Sequence, residues 1–213
     1  VKVNSRIAHS KRMLKKGDVI TIELPQDKDY GVDVEKGPLQ VLYEDAHTLV
    51  VYKPPFMLVH PAGQTKHHTL SNLVAGHYAE RGEVHKIRPV HRLDRDTTGV
   101  IMFGKTREAE QYYTCQLQEG DIHRIYRGLV EGNITADGIV NAPIGIDPVF
   151  DNRRCIDKFG QEAVTEYRVI EHDDKQSLLE FTLLTGRTHQ IRVHMAHIGH
   201  PIVGDAMYGM RNK

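Results

Sequence analysis

The densest run of reactive side chains lies at residues 91–99, which read His-Arg-Leu-Asp-Arg-Asp-Thr-Thr-Gly. The apolar residues 100–103 follow directly, so we expect a loop anchored on a buried strand, where catalytic groups often lie. If this loop is extended, Arg92, Asp94 and Asp96 project to the same side, because side chains alternate along a strand. An ionised carboxylate there can act as a nucleophile, act as a base or stabilise positive charge on a sugar. The residues alone leave these three roles open.

Two further clusters carry basic and aromatic groups. Residues 185–194 read Thr-Gly-Arg-Thr-His-Gln-Ile-Arg-Val-His and follow another apolar run, and Arg-Ile-Tyr at 124–126 opens a predicted strand. No glycine-rich loop of the P-loop or dinucleotide-binding type is present in the sequence, so we expect no nucleotide cofactor. Cys115 and Cys155 have neither metal nor redox spacing, and we expect two reduced thiols.

Hydrophobic periodicity predicts the elements that must position these clusters. Helices are expected at 69–80 and at 107–118, where Gly120 lies just beyond the predicted end. Strands are expected at 19–24, 41–43, 48–52, 100–103, 126–130, 164–170 and 178–183. Residues 132–159 are rich in Gly, Pro, Asn and Asp and are predicted to form loops and short strands. Because strands and helices do not alternate strictly, the pattern favours an α+β fold.

Charge and length suggest one catalytic domain with a small appendage. The formal net charge of the 213 residues is zero, yet residues 1–17 contain six basic side chains and no acidic one. We predict a short module at 1–25, a flexible acidic linker at 26–37 and a catalytic domain at 38–213. No apolar run approaches the roughly 20 residues that span a bilayer, and we expect a cytoplasmic monomer.

The three clusters together resemble the three catalytic motifs of the RluA/RluD-type pseudouridine synthases, in the same order and spacing. The similarity covers residues 38–209. It extends to the segments at 51–55, 59–61, 142–145, 160–167 and 200–205. Residues 1–25 resemble the back half of a small RNA-binding domain that is often fused to this family.

The resemblance implies a mixed, largely antiparallel β-sheet catalytic domain with flanking helices, acting on RNA without a cofactor or metal. Asp94 matches the catalytic aspartate, Tyr126 the tyrosine that stacks on the target base, and Arg192 the arginine that pairs with the aspartate. Arg92 matches a residue that enters the RNA stack where the base was. We therefore expect Asp94 and Arg192 to meet in space, although 98 positions separate them.

The resemblance also suggests the substrate. Large-subunit ribosomal RNA is favoured and transfer RNA is second, and we expect the basic side chains of Lys11, Arg12, Lys15 and Lys16 to hold the RNA. The chain ends at Lys213, soon after the third motif, whereas members of the family usually continue through further strands. We therefore expect either a trimmed chain or a reduced variant.

Three other interpretations compete with this one. Asp94 and Asp96 could be the paired carboxylates of a glycosidase-like hydrolase, roughly 6–7 Å apart on an extended segment. His194, His197 and His200 recur every three residues and could bind a metal, although Gly199 and Pro201 interrupt a helix there. Finally, the chain could be an inactive RNA-binding or ribosome-assembly protein.

Overall fold

The structure of the protein is a computed structural model that describes residues 1–9, 11–22, 27–150 and 152–209. Within these residues the elements follow one another in this order: β1 (Lys2–Val3), β2 (Arg6–Ile7), β3 (Ile20–Thr21), β4 (Gln40–Glu44), β5 (Thr48–Lys53), α1 (Leu70–Glu80), β6 (Gly99–Gly104), α2 (Arg107–Glu119), β7 (Arg124–Glu131), β8 (Gly138–Asn141), β9 (Ile144–Ile146), β10 (Arg154–Ile156), β11 (Val164–His172), β12 (Gln176–Leu183) and α3 (Gln190–His197). Every pairing between these strands is antiparallel. The predicted α+β class with largely antiparallel sheets is confirmed.

The first half of the predicted catalytic region, which begins at residue 38, is a three-stranded sheet in the order β4-β5-β6. Helix α1 begins at a capping box, in which Thr69 and Asn72 satisfy each other's backbone N–H groups. Its apolar face packs on the inner face of the sheet, where Leu49, Ile101 and Phe103 are fully buried. Helix α2 ends at Gly120, whose φ of 85° is the left-handed conformation that favours glycine.

The second half is a four-stranded sheet in the order β7-β12-β11-β8, flanked by the β9–β10 hairpin and by α3. Val130, Leu179, Phe181 and Met195 form its core. Tyr126 on β7 packs against this core and also against the core of the first sheet. The two halves therefore meet at Tyr126.

The amino-terminal residues form a small antiparallel sheet in the order β2-β1-β3. Of the strand predicted at 19–24, Ile20–Thr21 is a strand, whereas Glu23 and Leu24 lie outside the described residues. The structure also describes residues 27–37 of the predicted linker. The boundaries at 25 and 37 remain predictions.

Residues 27–37, which belong to the predicted linker, contact the rest of the chain. Asp27 forms a bidentate ion pair with Arg88, whose side chain is only 12% exposed. Tyr30 donates its hydroxyl to the carbonyl of Glu83, and Asn72 of α1 donates to the carbonyl of Asp33. These contacts hold the segment against the catalytic region, because its polar groups find partners there rather than in water.

Candidate active site

Residues on either side of Asp94 hold its loop in place. Leu93 is buried in the first core, and the Asp94 carbonyl accepts the backbone N–H of Thr97 at 3.1 Å. Residues 94–97 therefore form a turn. The strand-like alternation expected for Arg92, Asp94 and Asp96 is wrong beyond Asp94, because a turn redirects the chain at that point.

Lys53 ties this loop to the end of β5. Its side chain is fully buried, and its ammonium group donates to the carbonyls of Pro54, Met57 and Arg95 at 2.8–2.9 Å. Burial lowers the pKa of Lys53 to about 8, and the nearby carboxylates of Asp96 and Asp94 oppose that decrease. One buried ammonium group thus donates to three backbone carbonyls and joins the end of β5 to the Asp94 loop. A lysine at a strand end usually reaches solvent, where it could contact a phosphate, whereas this ammonium group is buried against backbone carbonyls.

Arg192 lies in the first turn of α3, and its guanidinium faces two carboxylates. Its Nη1 atom is 4.0 Å from Oδ2 of Asp94, as expected from the sequence. Its Nε and Nη2 atoms donate to both oxygens of Asp205, at 2.7 and 2.9 Å. Asp205 was missed as a site residue, although it closes the 200–205 segment that resembles the family.

The Asp205 side chain is buried and is held by backbone hydrogen bonds. It is only 3% exposed and accepts the backbone N–H groups of Met207 and Tyr208. Burial raises the pKa of Asp205, but the hydrogen bonds from Arg192 and from these two N–H groups outweigh burial and leave the pKa below its usual value. Asp205 is therefore an ionised anchor for Arg192.

Tyr208 completes this arrangement. The Arg192 guanidinium lies 5.0 Å from the centre of the Tyr208 ring, a cation–π distance. The Tyr208 hydroxyl accepts the backbone N–H of Arg154 and hydrogen bonds with Nδ1 of His189 at 2.8 Å. His189 has a left-handed φ of 59° and begins α3 without a side-chain cap. Burial lowers the pKa of His189, against the influence of the Asp94 charge.

Tyr126 lies near Asp94 at the junction of the two halves. Its side chain is half-buried, and burial raises the pKa of its phenol; the Arg124 charge lowers that pKa and the Asp94 charge raises it further. The structure thus brings together Asp94, Arg192 and Tyr126, which come from three distant segments of the chain.

His91 and Arg124 each carry a buried polar atom without a hydrogen-bond partner among the described residues. These atoms are Nδ1 of His91 and Nε of Arg124. Nε2 of His91 accepts the backbone N–H of Met102 at 3.3 Å. Burial, assisted by the Arg124 charge, lowers the pKa of His91 to about 4, so this imidazole is neutral at pH 7. A neutral ring that accepts the N–H of a β6 residue connects the loop to that strand.

The histidines near the end of the chain have structural partners. His194 is fully buried and hydrogen bonds with Thr165 and with the carbonyl of Ala142, both at 2.9 Å. Nδ1 of His200 lies 2.8 Å from the carbonyl of Glu131. Within the described ranges no group of three or more His, Cys, Asp or Glu side chains could hold a metal ion.

The other predicted RNA-binding residues lie on the surface. Arg92 is exposed two positions before Asp94, and Lys11, Arg12, Lys15 and Lys16 are exposed between β2 and β3. No helix among the described residues is long and apolar enough to cross a membrane.

Three comparisons with known proteins bear on this site. A family model described as RNA pseudouridylate synthase matches residues 47–197, which include Asp94, Tyr126 and Arg192. The chain is 42% identical over 216 residues to the uncharacterized RNA pseudouridine synthase YhcT of Bacillus subtilis, with 100% of this chain and 72% of that protein covered. It is 40% identical over 210 residues to ribosomal large subunit pseudouridine synthase D of Nitrosomonas europaea, with 98% of this chain and 61% of that protein covered.

Solved structures give the same result for the fold. The human RNA pseudouridylate synthase domain containing 1 superposes with a TM-score of 0.68 at 26% identity, over 83% of this chain and 73% of that one. The chain spans 72% and 61% of the length of the two curated relatives named above.

Proposed function

This chain belongs to the RNA pseudouridylate synthase family, and on that premise we propose that it isomerises uridines to pseudouridine in structured RNA, with large-subunit ribosomal RNA as its substrate. The substrate is suggested by the name of the Nitrosomonas europaea relative. The observation that carries the proposal is the 4.0 Å approach of Arg192 to Asp94 beside a half-buried tyrosine.

The reaction breaks the bond between C1′ of ribose and N1 of uracil, rotates the base and joins C1′ to C5. The proton on C5 leaves and N1 gains a proton, so the product is an isomer and no electrons are exchanged. Asp94 can attack C1′, stabilise positive charge on the ribose or accept the C5 proton, and each role needs the ionised carboxylate. Arg192 places a positive charge 4.0 Å from this carboxylate.

The distance between Arg192 and Asp94 also suits a reactive carboxylate. A contact of 4.0 Å is too long for a hydrogen bond, so the lone pairs of Asp94 are not consumed by Arg192. Arg192 makes its two short bonds to Asp205 instead. Asp94 thus has a neighbouring cation, its carboxylate accepts no hydrogen bond from the described residues, and its side chain is 20% exposed.

A uridine within an RNA helix must leave the stack before its C1′ can reach Asp94. Unstacking costs a few kcal/mol, and stacking on Tyr126 offsets roughly 1–3 kcal/mol of that cost. Arg92, exposed beside the loop, is proposed to fill the vacated space in the RNA. We propose that the basic side chains of residues 11–16 contact RNA phosphates and that the protein acts as a monomer.

Pseudouridine mapping in cells tests the proposal. Ribosomal and transfer RNA would be mapped with the gene present, with the gene deleted, and with the deletion complemented by wild type or by Asp94→Asn. We expect a position in large-subunit RNA to lose its pseudouridine on deletion and to regain it only with the wild-type gene. A change confined to transfer RNA would overturn the substrate, and no change in either RNA would overturn the activity.

A further inference from the structure

Phe56 combines two unfavourable features next to the catalytic loop. Its side chain is 74% exposed, and its backbone φ is 62°, in the left-handed region. A bulky side chain is rarely found there, because Cβ crowds the backbone. An exposed aromatic ring in a strained position adds nothing to a core, so the feature needs another explanation.

The surroundings of Phe56 force this conformation. On one side, Lys53 donates to the carbonyls of Pro54 and Met57. On the other side, the backbone N–H of Met57 donates to the carbonyl of Arg95 at 3.1 Å. Leu58 and Val59, which follow directly, accept the first backbone N–H groups of α1. The turn at Phe56 therefore has fixed ends, and it presents the ring from a rigid support.

That support is also part of the catalytic loop. Arg95 directly follows Asp94, and its carbonyl accepts from both Met57 and Lys53. One backbone hydrogen bond therefore links the Phe56 turn to the catalytic loop. It runs from Met57, the residue after Phe56, to Arg95, the residue after Asp94. Arg92, Arg95 and Asp96 are all exposed on this loop, so the surface of the loop joined to the Phe56 turn is charged and includes two arginines.

We propose that Phe56 is an RNA-binding residue whose ring stacks on an unpaired nucleotide next to the target uridine, with Arg95 near the adjoining phosphate. An exposed ring beside fixed cations is the combination that binds single-stranded RNA, because bases stack on aromatic faces and phosphates attract arginine. A nucleotide is preferred to a protein partner because a single exposed ring next to a loop of exposed charged residues offers little apolar area. The inference rests on the proposed function, since it assumes that RNA reaches Asp94.

Four substitutions at Phe56 separate the ring from the backbone. Phe56→Ala removes the ring and keeps the strained φ, whereas Phe56→Gly removes the ring and relieves the strain. Phe56→Trp keeps an aromatic face, and Phe56→Leu keeps an apolar side chain without one. Tyr112→Ala is the matched control, because Tyr112 is 59% exposed on α2.

The affinity of each variant would be measured by fluorescence anisotropy with an unmodified transcript of large-subunit ribosomal RNA, and turnover would be measured on the same transcript. We expect Phe56→Ala and Phe56→Gly to raise Kd and KM about tenfold, equivalent to about 1.4 kcal/mol, with kcat changed less than twofold. Phe56→Trp should bind like wild type and Phe56→Leu should lie between. Thermal unfolding should show Phe56→Gly to be at least as stable as Phe56→Ala.

Several results would overturn the inference. One is an unchanged Kd in Phe56→Ala. Another is a normal Kd in Phe56→Gly alone, which would assign the effect to backbone shape. A third is an equal loss of affinity in Tyr112→Ala. Because Kd is measured separately from turnover, the inference is tested even if the protein proves inactive. Wild-type protein that binds RNA without turnover would contradict the proposed function and not the role of Phe56.

Discussion

At the scale of single residues, Arg192 is shared unequally between two carboxylates. Asp205 accepts both short hydrogen bonds, from Nε and Nη2, whereas Asp94 lies 4.0 Å from the third nitrogen, Nη1. A planar guanidinium held at two of its nitrogens cannot rotate, so the third nitrogen is aimed at a fixed place. This arrangement explains how Asp94 keeps an oriented cation without losing its oxygens to it.

Tyr126 gives the first prediction at this scale. If its main role is stacking, Tyr126→Phe should retain kcat/KM within about tenfold, whereas Tyr126→Ala should lose roughly 5- to 150-fold, the range that stacking of one base provides. Turnover on the ribosomal RNA transcript measures both, with Tyr112→Ala on exposed α2 as control. An equal loss in Phe and Ala would assign the role to the hydroxyl.

His91 gives a prediction about pH. The pKa of His91 is about 4 in the folded protein and near its ordinary value of 6.5 when unfolded, so the unfolded chain binds the extra proton first as pH falls. The free energy of unfolding should therefore be unaffected by this group above pH 6.5 and fall between pH 6.5 and 4, by about 3 kcal/mol at most.

Urea unfolding at pH 7 and pH 5 measures this effect. His91→Gln, whose amide oxygen can still accept the Met102 N–H, should lose about 1–2 kcal/mol less stability than wild type between these pH values. His123→Gln, at an exposed position, is the control. A wild-type loss that His91→Gln leaves unchanged would mean that other histidines cause it.

At the scale of elements, the site lies where a loop, a strand and the first turn of a helix come together. The Asp94 loop runs into β6, Tyr126 lies on β7, and Arg192 lies in the first turn of α3. Gln190, buried at the start of α3, accepts from Thr185 and the Arg187 N–H and donates to the Val164 carbonyl, which secures α3 to β11. The segment at 205–208 then locks Arg192 from the other side.

Asp205 carries the prediction at this scale. Asp205→Asn keeps the size of the side chain but removes the charge that orients Arg192, so kcat should fall about 10- to 100-fold while KM changes little. Asp205→Glu should recover part of kcat, which a purely structural loss would not predict. Asp173→Asn, at another turn where an aspartate accepts two backbone N–H groups, is the control. An unchanged kcat in Asp205→Asn would remove Asp205 from the site.

The sequence predicted the elements well and the contacts only in part. Alternating and helical apolar patterns are local, so β5, β6, β12, α1 and α2 lie where they were expected. The pairing of Asp94 with Arg192 required the resemblance to a family. Lys53 and Asp205 were not predicted, because their roles depend on burial and on partners far along the chain. The anchoring of residues 27–37 was missed for the same reason, since an acidic, glycine-containing segment is typical of a linker.

At the scale of the whole molecule, basic residues are not in excess over acidic ones, but they are concentrated in some segments. The formal net charge is zero, so general attraction to RNA must come from local surfaces. The exposed cations between β2 and β3 form one such surface, and the loop that carries Arg92 and Arg95 forms another. We expect the first to contribute affinity and the second to contribute both affinity and positioning.

Neutralising Lys11, Arg12, Lys15 and Lys16 together tests the first surface. RNA binding should weaken and the slope of log K against log salt should become shallower by up to about 3–4, because each phosphate contact releases a counterion. The rate at saturating RNA should change little, since uniform binding does not alter the chemical step. Neutralising four exposed lysines elsewhere, Lys28, Lys86, Lys158 and Lys175, is the control. Unchanged affinity and slope in the first variant would show that this segment does not bind RNA.

The most direct test of the account is the turnover of Asp94→Asn on an unmodified ribosomal RNA transcript labelled with tritium at C5 of uridine, since C5 loses its hydrogen when the new bond forms. Asparagine keeps the shape and removes the charge, so we expect tritium release to fall at least about a thousandfold while the Kd for RNA stays within about threefold of wild type. Asp96→Asn, two residues away and exposed, should remain active. Substantial tritium release by Asp94→Asn, or equal inactivation by Asp96→Asn, would contradict the assignment of Asp94 as the catalytic carboxylate.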